Sequence, residues 1–503
     1  MQSKKPNVLL ISSDQQHWMA MGYNNPEIKT PNLDRLAARG VIFDRAYCPN
    51  PTCTPTRASI LTGQFPSQHG AYTLGTKLDE SRPTMNDAWH ALGYQTALVG
   101  KAHFQPLAST EEYSSLEAYP TLQDLDFWRS YTGPFYGFDH FELARNHVDE
   151  AHVGQHYAIW MEEKGFADWR ECFQKPTGTK EGQYGRWNIP MEYHYNTWIA
   201  ERTNALIQQF ADQDQPFFMW SSYFDPHPPY IVPEPWASMY DPATLTLPET
   251  RSDSHSANPR FHRFAIDADA TYEDYGLEGK WMHGVECHVQ DEEKTRQDLA
   301  IYYGMVSCMD HAIGQTLDLL DELGLTENTL IAFTTDHGHY VGHHGFIAKG
   351  PFHYEDGVKV PMIVSWPGHT PEGQRSEALQ CLVDLPVSFL AAAGLDKPQA
   401  MTGVNQWPVW QGESPTARDH CIVENNHEPG CAELKTYIDE RYKLTVYRAF
   451  EDGELYDLKE DPDELHNRFN DPDYVVIKSQ VLQRFIQAEM AKEVLPMPRI
   501  APA

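Results

Sequence analysis

The most regular pattern in this sequence is a series of short apolar runs that carry no charge and stop at polar residues. Such runs are typical of strands buried on both faces of a parallel sheet. The runs predicted as strands are 7–13, 41–43, 95–99, 216–221, 329–335 and 361–366. Between them, capped or amphipathic segments predict helices at 30–37, 55–62, 84–92, 195–210, 291–323 and 383–394. Strands that alternate with helices indicate an α/β fold, with a mostly parallel central sheet flanked by helices.

The pattern changes in the last part of the chain. Residues 435–447 and 454–458 alternate apolar and polar positions, which predicts antiparallel strands, and 475–494 is predicted as a helix. We therefore expect a larger α/β domain over 1–414 and a smaller C-terminal α+β domain over 415–503. Two irregular segments, about 105–190 and 235–290, are predicted as insertions in the larger domain.

Composition excludes some classes of protein. The 503 residues are 41% hydrophobic, which is ample for a large core and for more than one domain. The net charge of −32 argues against a nucleic-acid-binding protein, which normally shows a basic face. An anionic substrate would also be repelled at long range, so it would need a locally basic pocket. High solubility explains the acidity without any functional role.

The cysteines and the N-terminus bear on the cellular compartment. Eight cysteines are scattered without metal-finger spacing, and we expect them to be mostly reduced, although Cys48 and Cys53 could pair. The first residues run directly into the strand at 7–13, without a recognisable signal peptide or membrane span. We expect a cytoplasmic protein, or a periplasmic one if a leader was removed.

One cysteine stands at a chemically suggestive place. Thr54 can cap a helix, Pro55 suits its first position and Gly63 suits its end. Cys53 is thus expected just outside a helix N-terminus, where free N–H groups favour an anion, and Arg57 adds donors for a tetrahedral oxyanion. Residue 53 is therefore a candidate nucleophile beside an anion site, and a structural thiol before an ordinary helix is the alternative.

Polar motifs also follow the predicted strands. Asp14 follows the first strand, and Lys101 and His103 follow the strand at 95–99. His227 lies in a proline-rich loop after the strand at 216–221, and Asp336 follows the strand at 329–335. Open α/β sheets bind ligands at the carboxyl ends of their strands, so these side chains are expected at one site.

Residues 53–63, CTPTRASILTG, resemble the signature C-x-P-[S]-R-x-x-x-L-T-G of the type I, formylglycine-dependent sulfatases of the alkaline phosphatase superfamily. Thr56 stands where the family usually has Ser. The resemblance recurs near residues 100, 227, 336 and 455, so it covers most of the chain. It implies that a formylglycine-generating or anaerobic maturating enzyme oxidises Cys53 to formylglycine.

The resemblance also implies roles for individual residues. The implied metal ligands are Asp14, Gln15, Asp336 and His337. The implied catalytic residues are Cys53, Arg57, Lys101, His103, His227 and Lys349, and His344 is expected to bind substrate. Gln15 stands where the family has an Asp. His343 also stands where an Asp is common, so the role of His343 stays open. The family implies Ca²⁺, whereas the His and Gln leave room for Mn²⁺ or Zn²⁺, and Mg²⁺ also suits oxygen ligands.

The function implied by the resemblance is hydrolysis of a sulfate monoester by a formylglycine gem-diol and a divalent metal. The substrate would be a sulfated oligosaccharide or a small sulfate ester. A phosphonate monoester or phosphodiester hydrolase with the same formylglycine site is the main alternative. A non-catalytic binding protein with an unmodified Cys53 is a third. The sequence predicts no oligomeric state.

Overall fold

The structure is a computed structural model that describes residues 5–145, 153–173, 185–269, 271, 284–285, 288–428, 432–448 and 450–494. Its strands are β1 (Asn7–Ser13), β2 (Val41–Phe43), β3 (Ala46–Tyr47), β4 (Gln95–Gly100), β5 (His140–Leu143), β6 (Gly185–Arg186), β7 (Phe217–Ser222), β8 (Ile231–Val232), β9 (Thr329–Thr335), β10 (Lys359–Val360), β11 (Met362–Ser365), β12 (Gln374–Ser376), β13 (Gln380–Cys381), β14 (Cys421–Glu428), β15 (Ala432–Ile438), β16 (Tyr442–Tyr447) and β17 (Gly453–Asp457). Its α-helices are α1 (Pro31–Ala38), α2 (Cys53–Thr62), α3 (Pro66–His69), α4 (Met85–Ala91), α5 (Leu125–Ser130), α6 (Gln155–Glu163), α7 (Tyr195–Asp212), α8 (Arg260–Ile266), α9 (Glu292–Glu322), α10 (Glu355–Val358), α11 (Leu385–Ala392), α12 (Trp407–Trp410) and α13 (Val475–Ala491).

An eight-stranded sheet forms the centre of the molecule, in the order β12-β2-β11-β9-β1-β7-β4-β5. The five neighbouring strands from β9 to β5 are parallel, and β11 is antiparallel to the strands on either side of it. β1 lies between β9 and β7, and every one of its residues is buried, as its charge-free sequence predicts. The predicted mostly parallel α/β fold is confirmed.

Helices cover both faces of this sheet. The adjacent residues Phe217 and Phe218 of β7 point to opposite faces, because side chains alternate along a strand. Phe217 packs on Phe210 of α7, whereas Phe218 packs on Trp89 of α4 and Phe389 of α11. The core therefore consists of two layers with the sheet between them.

The irregular segment at 105–190 contributes to the central sheet, contrary to the prediction that it is only an insertion. Its residues 140–143 form β5, the edge strand that pairs in parallel with β4. A four-residue strand in an aromatic-rich segment gives too little alternation to be recognised from sequence. The second segment, 235–290, carries α8 in its described part.

A smaller sheet lies in the C-terminal part of the chain, as predicted. Its strands are antiparallel in the order β14-β15-β16-β17, and α13 packs on β16. The predicted strand 435–447 is in fact two strands that turn at 439–441, and β14 was not predicted. The boundary at residues 414 and 415 stays a prediction.

The described cysteines are all unpaired, including Cys48 and Cys53. Cys287 and Cys431 lie outside the described residues. Within the described part of the chain, no helix is both long enough and apolar enough to span a lipid bilayer.

Candidate active site

Four parallel strands bring their carboxyl ends to one edge of the sheet. Asp14 follows β1, Asp336 follows β9, Lys101 follows β4 and Ser222 ends β7. Gly100 allows β4 to approach β7 closely, because a Cβ at this position would lie 1.9 Å from the Ser222 carbonyl oxygen. Residues that are hundreds of positions apart in sequence therefore share one small region.

Helix α2 places residue 53 at this edge. The helix begins at Cys53 itself, with Thr52 as the N-cap residue, so the predicted cap at Thr54 is wrong. Gly63 ends the helix in the left-handed conformation, at φ 64°, as expected for a C-terminal glycine. All ten residues of α2 are buried, and Cys53 is 1% exposed.

The Cys53 thiol lies beside two ammonium groups and a histidine. Its sulfur is 3.1 Å from both Lys349 Nζ and His337 Nε2, and 3.8 Å from Lys101 Nζ. Burial and the Asp14 carboxylate raise the pKa of this thiol, but the two ammonium groups outweigh them and leave it lowered. The structure thus places the candidate nucleophile in a locally basic site within an acidic protein.

Two buried carboxylates lie beside the thiol and are held by buried cations. Arg57 Nε donates to Asp336 Oδ2 at 2.8 Å, and Lys101 Nζ forms a hydrogen-bonded ion pair with Asp14 Oδ2. Burial opposes ionisation of Asp14, but Lys101 and Arg57 hold its pKa far below the ordinary range. Asp14 is therefore a carboxylate anion at every physiological pH.

These carboxylates belong to a donor set that suits a divalent metal. Ligand atoms of Asp14, Asp336, His337 and Cys53 all lie within 4.8 Å of one another. His337 Nδ1 donates to the Gly338 carbonyl oxygen at 2.9 Å, so Nε2 presents a lone pair to the site. Gln15 Oε1 is buried and has no hydrogen-bond partner among the described residues, a costly state that a metal ion would relieve. Asp14, Gln15, Asp336 and His337 therefore fit a divalent ion.

Lys349 and His227 form a second pair beside residue 53. Lys349 Nζ lies 3.2 Å from His227 Nε2, and His227 Nδ1 lies 2.6 Å from the Pro228 carbonyl oxygen. A carbonyl oxygen can only accept a hydrogen bond, so Nδ1 carries the ring proton. Nε2 is then unprotonated and accepts a hydrogen bond from Lys349 Nζ. Burial and the charges of Lys349 and Lys101 keep the pKa of His227 well below its ordinary value.

The loop after β4 holds Lys101 and His103, and two residues missed by sequence reasoning fix it. The Glu117 carboxylate accepts hydrogen bonds from the backbone N–H groups of residues 103, 104 and 105 at 2.9 to 3.1 Å. Arg145 pairs with Glu117 at 2.8 Å, and both are 2% exposed. His103 adopts a positive φ of 57°, which these bonds help to hold.

His344 lies in a neighbouring cluster, and its predicted role in substrate binding stays a prediction. Its Nδ1 lies 2.9 Å from Asp253 Oδ2, and its ring stacks on Tyr354. The nearby Asp356 accepts a hydrogen bond from His17 Nε2 at 2.8 Å. Because the Met19 N–H donates to His17 Nδ1, His17 Nε2 must carry the proton, which disfavours a second metal centre at this cluster.

One buried carboxyl near the site gives a testable pH dependence. Asp225 precedes the His227 loop, and its oxygens accept from the Tyr195 hydroxyl and from Asn196 Nδ2, the latter at 2.7 Å. Burial nevertheless raises its pKa to about 7. Between pH 4 and pH 7, Asp225 is largely protonated in the folded protein but ionised in the unfolded chain. The folded state therefore binds more protons, and the free energy of unfolding decreases as the pH rises through this range.

We expect Asp225→Asn to remove that dependence. From pH 4.5 to pH 7.5, the unfolding free energy of the wild type should fall by about 3 kcal/mol relative to that of the variant. Urea unfolding of both proteins at pH 4.5 and pH 7.5 measures it. An equal difference at the two pH values would contradict the raised pKa.

The chain matches two protein-family models. The model described as "Sulfatase" matches residues 6–395, which is more than half of the chain. The model described as "N-sulphoglucosamine sulphohydrolase, C-terminal" matches residues 342–491. Together they span both the central sheet and the C-terminal sheet.

Individual proteins match over nearly the whole length. The multifunctional alkaline phosphatase superfamily protein PehA of Trinickia caryophylli is 28% identical, over 95% of this chain and 94% of that protein. The N-acetylglucosamine-6-O-sulfatase of Bacteroides thetaiotaomicron is 26% identical, over 96% of this chain and 86% of that protein.

A solved structure shows the same fold. The phosphonate monoester hydrolase of Agrobacterium radiobacter superposes with a TM-score of 0.80 at 24% identity, covering 99% of this chain and 98% of that one. At this identity the likeness bears on the fold alone. The family match, the shared fold and the buried Cys-x-Pro-x-Arg site lead to one conclusion: the chain belongs to the sulfatase family and is a sulfatase enzyme.

Proposed function

We propose that this protein hydrolyses a sulfate monoester through a formylglycine formed from Cys53. The observation that carries the proposal is the environment of residue 53. Its side chain lies beside the ammonium groups of Lys101 and Lys349 in a protein whose net charge is −32. Such a site suits a nucleophile that attacks an anionic ester, because the local cations neutralise the charge of the sulfuryl oxygens.

The proposal includes a divalent metal, held by Asp14, Gln15, Asp336 and His337. When bound, the ion would act as a Lewis acid that polarises a sulfuryl oxygen and favours the ionised nucleophile. Ca²⁺ is our choice from the family, and the His and Gln ligands also suit Mn²⁺ or Zn²⁺.

The nucleophile is the hydrated aldehyde, and the Cys53 sulfur marks where one of its hydroxyl oxygens would lie. That hydroxyl first gives up its proton to solvent, its oxygen attacks sulfur, the bond from sulfur to the ester oxygen breaks, and the alcohol leaves with a proton supplied by an acid of the site. The second hydroxyl then loses its proton to His103, which we assign as the base, and the carbon–oxygen bond to the sulfate breaks. This restores the aldehyde and releases sulfate, so no water needs to attack sulfur.

Lys349 is the better candidate for the acid that protonates the leaving alcohol. His227 Nε2 accepts a hydrogen bond from Lys349 and carries no proton to give. Burial lowers the pKa of Lys349, but the Cys53 thiolate and the Asp14 carboxylate raise it further, and Asp14 remains when residue 53 is formylglycine, so the lysine has a proton to give. His227 then orients the lysine, and Arg57, which already binds Asp336, supports the carboxylate side of the site.

The substrate we propose is a sulfated sugar or a small sulfate ester. The support comes from relatives such as the N-acetylglucosamine-6-O-sulfatase of Bacteroides thetaiotaomicron. Maturation would need a formylglycine-generating or anaerobic maturating enzyme in the producing cell.

The test compares two esters with one leaving group. Protein co-expressed with a maturating enzyme is assayed for kcat/KM on 4-nitrophenyl sulfate and on a 4-nitrophenyl phosphonate monoester, with Cys53→Ala as the control for contaminating activity. We expect the sulfate to be preferred. A higher kcat/KM for the phosphonate would favour the alternative hydrolase, and a peptide mass showing an unmodified Cys53 in an inactive protein would favour a binding role. Choline sulfate and sulfated monosaccharides then define the substrate class.

A further inference from the structure

Gln15 is the unusual member of the proposed metal site, because it is a neutral amide. It is 1% exposed and adopts a left-handed backbone with φ 60°, which is uncommon for a residue other than glycine. Its N–H donates to Asp336 Oδ1 at 3.1 Å, and its carbonyl oxygen accepts from the Tyr302 hydroxyl at 3.0 Å. The backbone of residue 15 is thus held on both sides.

The side-chain amide of Gln15 has two ends that differ in chemistry. Nε2 can only donate a hydrogen bond, and Oε1 can only accept one or bind a cation. Nε2 lies 2.8 Å from His339 Nδ1, while Oε1 is buried and finds no hydrogen-bond partner in the part of the chain that the structure describes. The Gln15 amide leaves Oε1 available to a metal only in the orientation in which Nε2 donates its hydrogen bond to His339.

His339 can enforce this orientation because its second nitrogen is also bound. Since Gln15 Nε2 donates, His339 Nδ1 must be the acceptor, and the ring proton is then on Nε2. His339 Nε2 forms a hydrogen bond with the Tyr230 hydroxyl. His339 and Tyr230 are 0% and 6% exposed, so water does not compete with these bonds.

We infer that His339 is a positioning residue that turns the Gln15 amide oxygen toward the metal, with Tyr230 fixing its ring. The inference rests on the proposed function, because it concerns the metal of that site. Gln15 follows β1, His339 follows β9 and Tyr230 follows β7. The hydrogen bonds between these residues therefore link three of the strand ends that form the site. Outer partners of this kind typically change metal affinity by about 10- to 100-fold.

The test measures metal binding rather than turnover. Full-length protein with unmodified Cys53 is titrated with Ca²⁺, and in a second series with Mn²⁺, by isothermal titration calorimetry. We expect His339→Ala to weaken binding by about 10- to 100-fold. His339→Asn should restore most of it, because the Asn Oδ1 stands where His Nδ1 stood. His339→Gln should restore less, because its amide stands where His Nε2 stood.

A double-mutant cycle separates positioning from a general structural effect. If His339 acts through Gln15, His339→Ala should cost almost nothing in a Gln15→Ala background. Circular dichroism and thermal melts of every variant verify that the fold is intact.

The outcomes are distinguishable. If wild-type protein binds neither Ca²⁺ nor Mn²⁺, the titration is repeated with Mg²⁺ and Zn²⁺, and if it binds none of the four ions, the metal of the proposed function fails and the inference fails with it. If wild type binds and His339→Ala binds equally well, the inference is overturned while the proposed function stands. An equal loss with and without Gln15 would assign His339 a structural role and would also overturn it.

Discussion

A Cys53→Ser protein is expected to fold, to bind an aryl sulfate and to fail in turnover. The loss in kcat should be on the order of 10⁶-fold, the size of loss seen when another hydrolase lost its nucleophile. Serine offers one hydroxyl group, so it can attack sulfur but cannot expel the sulfate afterwards. Cys53→Ala should lose the attack itself.

Intact-mass spectrometry after exposure to substrate distinguishes these variants. The Ser variant should gain one covalent sulfuryl group, and the Ala variant should gain none. Cys172→Ser is the matched control, because Cys172 is a free, partly exposed cysteine outside the site, and it should retain wild-type kcat. Near wild-type turnover by Cys53→Ser would overturn the mechanism and point to another nucleophile.

Removal of the metal is expected to abolish activity as well. Exhaustive chelation, or Asp336→Ala, should lower kcat/KM by at least about 10³-fold, because a Lewis acid supplies several kcal/mol of transition-state stabilisation. Asp336 is central because its carboxylate accepts from Arg57 Nε and from the N–H groups of Gln15 and His337. The Asp336→Asn variant keeps the shape but loses both the charge and one hydrogen-bond acceptor, because its NH2 group faces either Arg57 Nε or the N–H groups of residues 15 and 337.

Elemental analysis and re-addition of single ions complete this test. Activity should return with Ca²⁺, or with whichever of Mg²⁺, Mn²⁺ or Zn²⁺ is native. Asp212→Asn serves as the control, since Asp212 is an exposed carboxylate at the end of α7. Full activity in a chelated protein without bound metal would count decisively against the proposed site.

The fold could be predicted from sequence where strands are buried on both faces. The charge-free runs at β1 and β9 are too short for a typical helix and are typical of strands at the centre of a sheet, so the residues that follow them, Asp14 and Asp336, indicated where the site lies. β14 escaped prediction because its sequence CIVENNHE mixes apolar residues with Glu and Asn, and its pairing with β15 is a long-range property.

The supporting residues of the site could not be predicted for a related reason. Glu117 and Arg145 lie in an irregular segment, and neither forms part of a recognisable motif. Their role depends on the approach of the loop at 101–105, which only the tertiary structure defines. His339 had a weak signal, because it is the second histidine in Asp-His-Gly-His, but its partner Gln15 is more than three hundred residues away.

The complete burial of α2 has a consequence for the order of events in the cell. A modifying enzyme that reads Cys53, Pro55 and Arg57 needs an extended, accessible peptide, but in the folded protein these side chains are inside the core. On the maturation that we propose, oxidation of Cys53 would therefore precede closure of the chain, during or shortly after synthesis. The yield of active enzyme would then depend on the relative rates of maturation and folding, and a chain that folds first would keep an unmodified Cys53 inside its core.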